Sequence, residues 1–149
     1  MQDQTDWRTN LIDDDAGIKE ILQQAKRIAV IGAKNQPGSA AFYVPNLLYQ
    51  EGYEMIPVNP LIDHAFGMDA YDSLAEVPGE IDIVQVFRRP EFVRGHAEEA
   101  LFKRPSVFWT QSGIVDWDSA ELLARAGIKV VMDRCMMVDH QRLLGYRSY

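Results

Sequence analysis

Cysteine is nearly absent. Cys135 is the only one in 149 residues, which excludes an internal disulfide framework and a cysteine-rich zinc site and points to a reducing, cytoplasmic compartment. Positive charge is scarce too: 15 Lys and Arg stand against 22 Asp and Glu, a net charge of −7 with the histidines neutral. Such a field opposes non-specific binding to nucleic acid or to anionic membranes. It does not oppose a small anionic ligand, because a few local cations and backbone N–H groups outweigh a distant field. No apolar run approaches the roughly 18 residues of a membrane span. The stretch from Met1 to Asp15 holds five Asp rather than a basic segment followed by an apolar one, so neither export nor membrane insertion is expected. His64, His96 and His140 fall in separate elements without ligand spacing, which argues against a metal site.

What is present is a regular alternation of apolar segments without repeats, linkers or low-complexity tracts, so residues 1–149 are expected to form one domain. Residues 13–25 predict a helix, with Asp13 to Asp15 as capping carboxylates and Ile18, Ile21, Leu22 and Ala25 at helical spacing. Ile28 to Ile31 is a short continuous apolar run ending at Gly32, the pattern of a strand buried on both faces of a parallel sheet. Phe42 to Gln50 predicts a helix that stops at Gly52, with Pro45 either near its first turn or kinking it. Glu54 to Val58 predicts a second strand, and Pro57, which cannot donate to a ladder, argues for an edge or a local irregularity. Ser73 to Glu76 has capping-box spacing and predicts a short helix.

Strands at 82–87, 106–110 and 129–133 then alternate with helices at 90 to about 101 and about 117–126. Pro90 suits a first helical position and Gly127 a helix end. Alternating strands and helices with short connections predict an α/β Rossmann-like fold: a doubly wound parallel sheet of about five strands in three α/β/α layers. A ligand would sit outside the carboxyl ends of the strands, where the strand order reverses.

That rule gathers Gly32 to Ser39, Asn59-Pro60, Phe87 to Pro90, Thr110 to Gly113 and Asp133 to Cys135 at one edge. A G-x-G-x-x-G fingerprint would need glycine at 34 and 37, where Lys34 and Pro37 stand, and Asn59 replaces the acid that would hold a nicotinamide cofactor's ribose. These departures argue against an NAD(P)-dependent oxidoreductase, and no Walker A sequence takes the fingerprint's place. Lys34, Arg88, Arg89 and Arg134 fall on the strand-end loops of an otherwise acidic chain, suggesting a ligand with more than one phosphate. For any single cation, ordinary surface solvation or pairing with Asp133 or Glu91 is the alternative. Trp109, Phe87 and Tyr43 are candidates to stack on a base, with Phe87, beside two arginines, the best placed. Cys135 reads as a small apolar filler or, with a lowered pKa, as a reactive thiol.

Five blocks taken together resemble the CoA-binding domain family, stand-alone Rossmann-like proteins related to the CoA-binding part of the succinyl-CoA synthetase α subunit. They are Ile28-Ala-Val-Ile-Gly-Ala33, Gly52-Tyr53 with Ile56-Pro-Val-Asn-Pro60, Val84 to Phe92, Trp109-Thr-Gln-Ser-Gly-Ile114, and Val131-Met-Asp-Arg-Cys135. The resemblance runs from about Ala25 to Leu143. It implies coenzyme A or an acyl-CoA as ligand, with the pyrophosphate and ribose against Gly32, Ala33, Lys34 and Asn35 and with Ser39 nearby. It further implies that Asn59 and Pro60 flank the nucleotide, that Phe87, Arg88, Arg89 and Pro90 form the loop after the third strand, and that Thr110, Gln111 and Ser112 face the pantetheine. Arg134 and Cys135 match a late loop. The likeness takes in neither a ligase domain with a phosphorylated histidine nor a grasp module, so it implies a binding module rather than an enzyme. Alternatives are an enzyme acting on a CoA thioester, through Gln111 or Cys135, and a module through which bound CoA regulates a protein partner.

Overall fold

The computed structural model describes residues 6–145. Five strands form one parallel sheet: β1 (Arg27–Ile31), β2 (Glu54–Val58), β5 (Ile83–Val86), β6 (Val107–Thr110) and β7 (Lys129–Val131), in the order β2-β1-β5-β6-β7. Helices α1 (Asp15–Gln24), α2 (Ala40–Gln50), α3 (Pro90–Lys103), α4 (Trp117–Arg125) and α5 (Met136–Leu144) cover it, and a two-stranded hairpin, β3 (His64–Ala65) and β4 (Met68–Asp69), follows β2. This is the expected α/β Rossmann-like sheet.

Alternation along each strand builds two cores. Ala29, Ile31, Val84, Val86, Phe108 and Val130 face Val93 and Ala97 of α3 and Leu123 of α4. Ile28, Val30, Ile83, Val107, Trp109 and Val131 face Ile18 and Leu22 of α1, Leu48 of α2 and Met136 of α5. Both sheet faces are buried, which is why the strands are apolar on consecutive rather than alternate residues. Gln85 breaks the pattern: fully buried at the centre of the sheet, it has neither amide atom hydrogen-bonded.

The two prolines that strained the sequence pattern are both accommodated. Pro57 lies on the edge strand β2, and its carbonyl accepts from Tyr71 N–H (3.0 Å) on the outer side, so its missing donor faces away from β1. Pro45 sits inside α2, in the second turn rather than the first. Lacking an N–H, it leaves the Ala41 carbonyl without its helical donor, and the Lys34 N–H of the loop after β1 donates to that carbonyl instead (3.2 Å). The proline thereby ties the loop to the helix.

Three expectations change. Ser73 to Glu76 is a single 3-10 turn at Leu74–Glu76, because the Glu76 carboxylate accepts from Asp72 N–H (3.1 Å) and Ser73 makes no side-chain cap. The hairpin at 64–69 and helix α5 were not anticipated. Helix α1 is capped by the Asp14 carboxylate, which accepts from Gly17 N–H (3.0 Å). Among the described residues no helix is long and apolar enough to cross a membrane.

Candidate functional site

The chain leaves β1 towards β2 on one side and returns to β5 on the other, so the strand order reverses between β1 and β5. A cleft of about 500 Å³ opens above that point. Its floor is the carboxyl ends of three strands, with Ile31-Gly32, Val58-Asn59 and Phe87, and its rim carries Lys34, Arg88 and Arg89. A sheet places a ligand crevice at this position because the loops diverge to opposite faces and leave a gap between them.

Gly32 makes the crossing possible. Its φ is +84°, and a Cβ there would stand 2.4 Å from the Phe87 carbonyl oxygen. Phe87 N–H donates to Ile31 O (2.9 Å) and Gly32 N–H to Val58 O (3.0 Å), carrying the ladder past both strand ends. Asn59 locks the third loop. Its side-chain amide donates to Ala33 O (2.8 Å) while its Oδ1 accepts from Leu61 N–H (2.9 Å). Both ends of this amide are committed to backbone, so Asn59 shapes the cleft and Pro60 lines it.

The cations differ in how they are held. The Arg88 guanidinium lies over the Phe92 ring, 4.4 Å from its centroid, with Nη1 3.3 Å from His96 Nε2. Arg89 lies over the same ring from 5.2 Å and meets Glu91 at 3.6 Å on the exposed surface, a pairing of little strength. Lys34 extends from the loop after β1. Two of the cations thus stack on one aromatic at the N-terminal turn of α3, whose first residue is Pro90.

A family model described as the CoA binding domain matches residues 26–141, which span the whole cleft. The chain belongs to this family. It is 48% identical over 125 residues to the uncharacterized protein YneT of Bacillus subtilis, covering 84% of this chain and 93% of that protein. A solved structure, cell-free ID.343 from Thermus thermophilus, superposes with a TM-score of 0.85 at 43% identity, over 88% of this chain and 99% of that one. The alpha subunit of an ADP-forming acetate–CoA ligase II from Pyrococcus furiosus is 38% identical over 68 residues, 45% of this chain but 15% of the subunit.

Within this CoA binding domain, not every residue expected at the carboxyl edge reaches the cleft. Ala33 is fully buried in the core, Asn35 donates to His64 O (3.3 Å) on the exposed side, and the Ser39 carbonyl accepts from Phe42 and Tyr43 N–H (2.8 and 2.9 Å) at the start of α2. The loop after β6 is bound to its neighbours. Thr110 Oγ1 donates to Ile114 O (2.7 Å) and accepts from Asp133 N–H (3.1 Å), Gln111 Oε1 accepts from Met136 N–H (3.3 Å), and Ser112 is exposed. Arg134 is drawn away by a bidentate pair with the buried Asp139 (2.8 and 3.0 Å) and by Asp13 (3.1 Å). Those carboxylates, Asp139 first, push its pKa above the ordinary value. Arg134 lines a separate crevice of about 310 Å³ with Leu11, Trp117 and Met132. Cys135 is half-buried immediately before α5. Trp109 is core, donating its indole N–H to Arg134 O (2.9 Å).

Sequence reasoning passed over Phe92, His96 and Glu99, all of which line the cleft. A signal was available. Once Pro90 opens a helix at a strand end, positions 92, 96 and 99 share one face at i, i+4, i+7 spacing beside Arg88.

Proposed function

We propose that this protein binds coenzyme A or an acyl-CoA in the cleft between the loops after β1 and β5, as a binding module rather than a ligase. The observation that carries this reading is the convergence of Lys34, Arg88 and Arg89 at the strand-order reversal of a chain with net charge −7. A diphosphate linked to a phosphorylated ribose needs several cations in one place, and guanidinium groups hold phosphate through paired N–H bonds. Apolar floor residues Ile31, Val58, Leu74 and Phe87 supply contact for the uncharged parts of the ligand. Membership of the CoA binding domain family and the shared segment of an acetate–CoA ligase subunit support the ligand class. That segment is 15% of the ligase subunit.

The residues named for thioester chemistry favour the same conclusion. Gln111 is tied to Met136 N–H, and neither it nor Cys135 lines the cleft. Isothermal titration calorimetry at low salt under reducing conditions tests the proposal. Saturable heat with CoA and much weaker heat with adenosine is the expected result. No heat with CoA, or equal affinity for adenosine, would overturn it.

A further inference from the structure

Arg88 is held in an unusual way for a surface arginine. Its stem runs over Gly32, where a Cβ would stand 3.2 Å from Arg88 Cδ, and its guanidinium rests on Phe92. Its Nη1 meets His96 Nε2 at 3.3 Å, and across the imidazole His96 Nδ1 is 2.8 Å from Glu99 Oε1. A guanidinium can only donate, so Nε2 must be the lone-pair nitrogen and Nδ1 must carry the proton that Glu99 accepts. Glu99 therefore fixes the tautomer, and the tautomer fixes Arg88.

The consequence is a directed cation that keeps its charge. Arg134 shows the opposite arrangement, in which carboxylates on the guanidinium both orient and neutralise it. Among the described residues no carboxylate lies within ion-pair distance of Arg88. The imidazole lone pair takes one N–H of a side chain that lines the cleft, so part of the arginine's side-chain entropy is lost before ligand arrives.

We propose that His96 and Glu99 are positioning residues that preorganise Arg88 as a phosphate ligand; this rests on the CoA reading above. The test is a double-mutant cycle read by CoA calorimetry, using Arg88→Ala, His96→Leu and the pair, together with imidazole ¹⁵N NMR of the free protein. His96→Leu should weaken CoA binding about tenfold, the scale of one oriented hydrogen bond. His96→Gln, whose carbonyl oxygen can accept from Arg88, should recover most of that loss. In the Arg88→Ala background, His96→Leu should change nothing further. Equal loss in both backgrounds, or no loss from His96→Leu while Arg88→Ala weakens binding, overturns the proposal. A free-protein spectrum with Nε2 protonated overturns it whatever the affinity. Wild-type protein without CoA binding, or an Arg88→Ala variant that binds normally, removes the CoA or phosphate assignment itself and is recognisable as that failure.

Discussion

Replacing Gly32 by alanine should unfasten the two loops that form the cleft. The new Cβ would stand 2.4 Å from the Phe87 carbonyl oxygen, and real Cβ atoms stay beyond 3.0 Å, so the loops must part by about 0.6 Å. The backbone at φ +84° adds roughly 1–2 kcal/mol for any residue with a side chain. Parting the loops weakens the Phe87 N–H to Ile31 O bond of 2.9 Å, worth about 1 kcal/mol net. Together these predict a loss of roughly 2–3 kcal/mol in urea unfolding. Gly38 is the control: a Cβ there meets nothing within 4 Å, so Gly38→Ala should be neutral or stabilise by up to about 1 kcal/mol. CoA affinity should fall in the first variant and stay unchanged in the second. A Gly32→Ala protein with wild-type unfolding midpoint and affinity would refute the crossing argument.

Gln85→Met fills the same space without a buried unpartnered amide and should raise the unfolding free energy by roughly 1–3 kcal/mol; equal or lower stability in urea would mean the amide has a partner, such as a buried water. Arg134→Met should cost about 2 kcal/mol, by leaving the buried Asp139 with Arg142 alone, yet preserve CoA affinity; lost affinity at full stability would place Arg134 in the site. Burial holds the His140 pKa below 6.5, with the Glu51 charge opposing it. The unfolded chain therefore binds the proton first, and stability should fall as pH drops from about 6.5, by at most about 1.4 kcal/mol per pH unit. His140→Gln should flatten that slope in urea titrations at pH 7 and pH 5, and an unchanged slope would show that other groups set it.

Much of the fold was legible because both sheet faces are buried. Continuous apolar runs such as Ile28 to Ile31 are short for a helix and read as strands buried on both faces, and of the edge or local irregularity that Pro57 argued for, the structure has the edge. Helix α5 was missed because its inner face carries Asp139 and His140, which break the apolar period, and Asp139 is buried only because Arg134 and Arg142 neutralise it. Within the candidate site, strand ends were readable and side-chain commitments were not. Gly32 was expected to lie against a ligand's phosphates; it does line the cleft, and the Phe87 carbonyl is a second reason, not visible in the sequence, why glycine is needed there. Arg134 and Arg88 look alike in sequence, and only their partners, Asp13 and Asp139 for one and His96 for the other, separate them.

The most direct test follows CoA titrated into ¹⁵N-labelled protein by amide chemical shifts. The largest changes should fall on Gly32, Lys34, Asn59 and Phe87 to Arg89, with those at Arg134 and Cys135 small. Shifts confined to Thr110 to Ser112 and Asp133 to Cys135, or no shifts at saturating CoA, would contradict the assignment of the cleft.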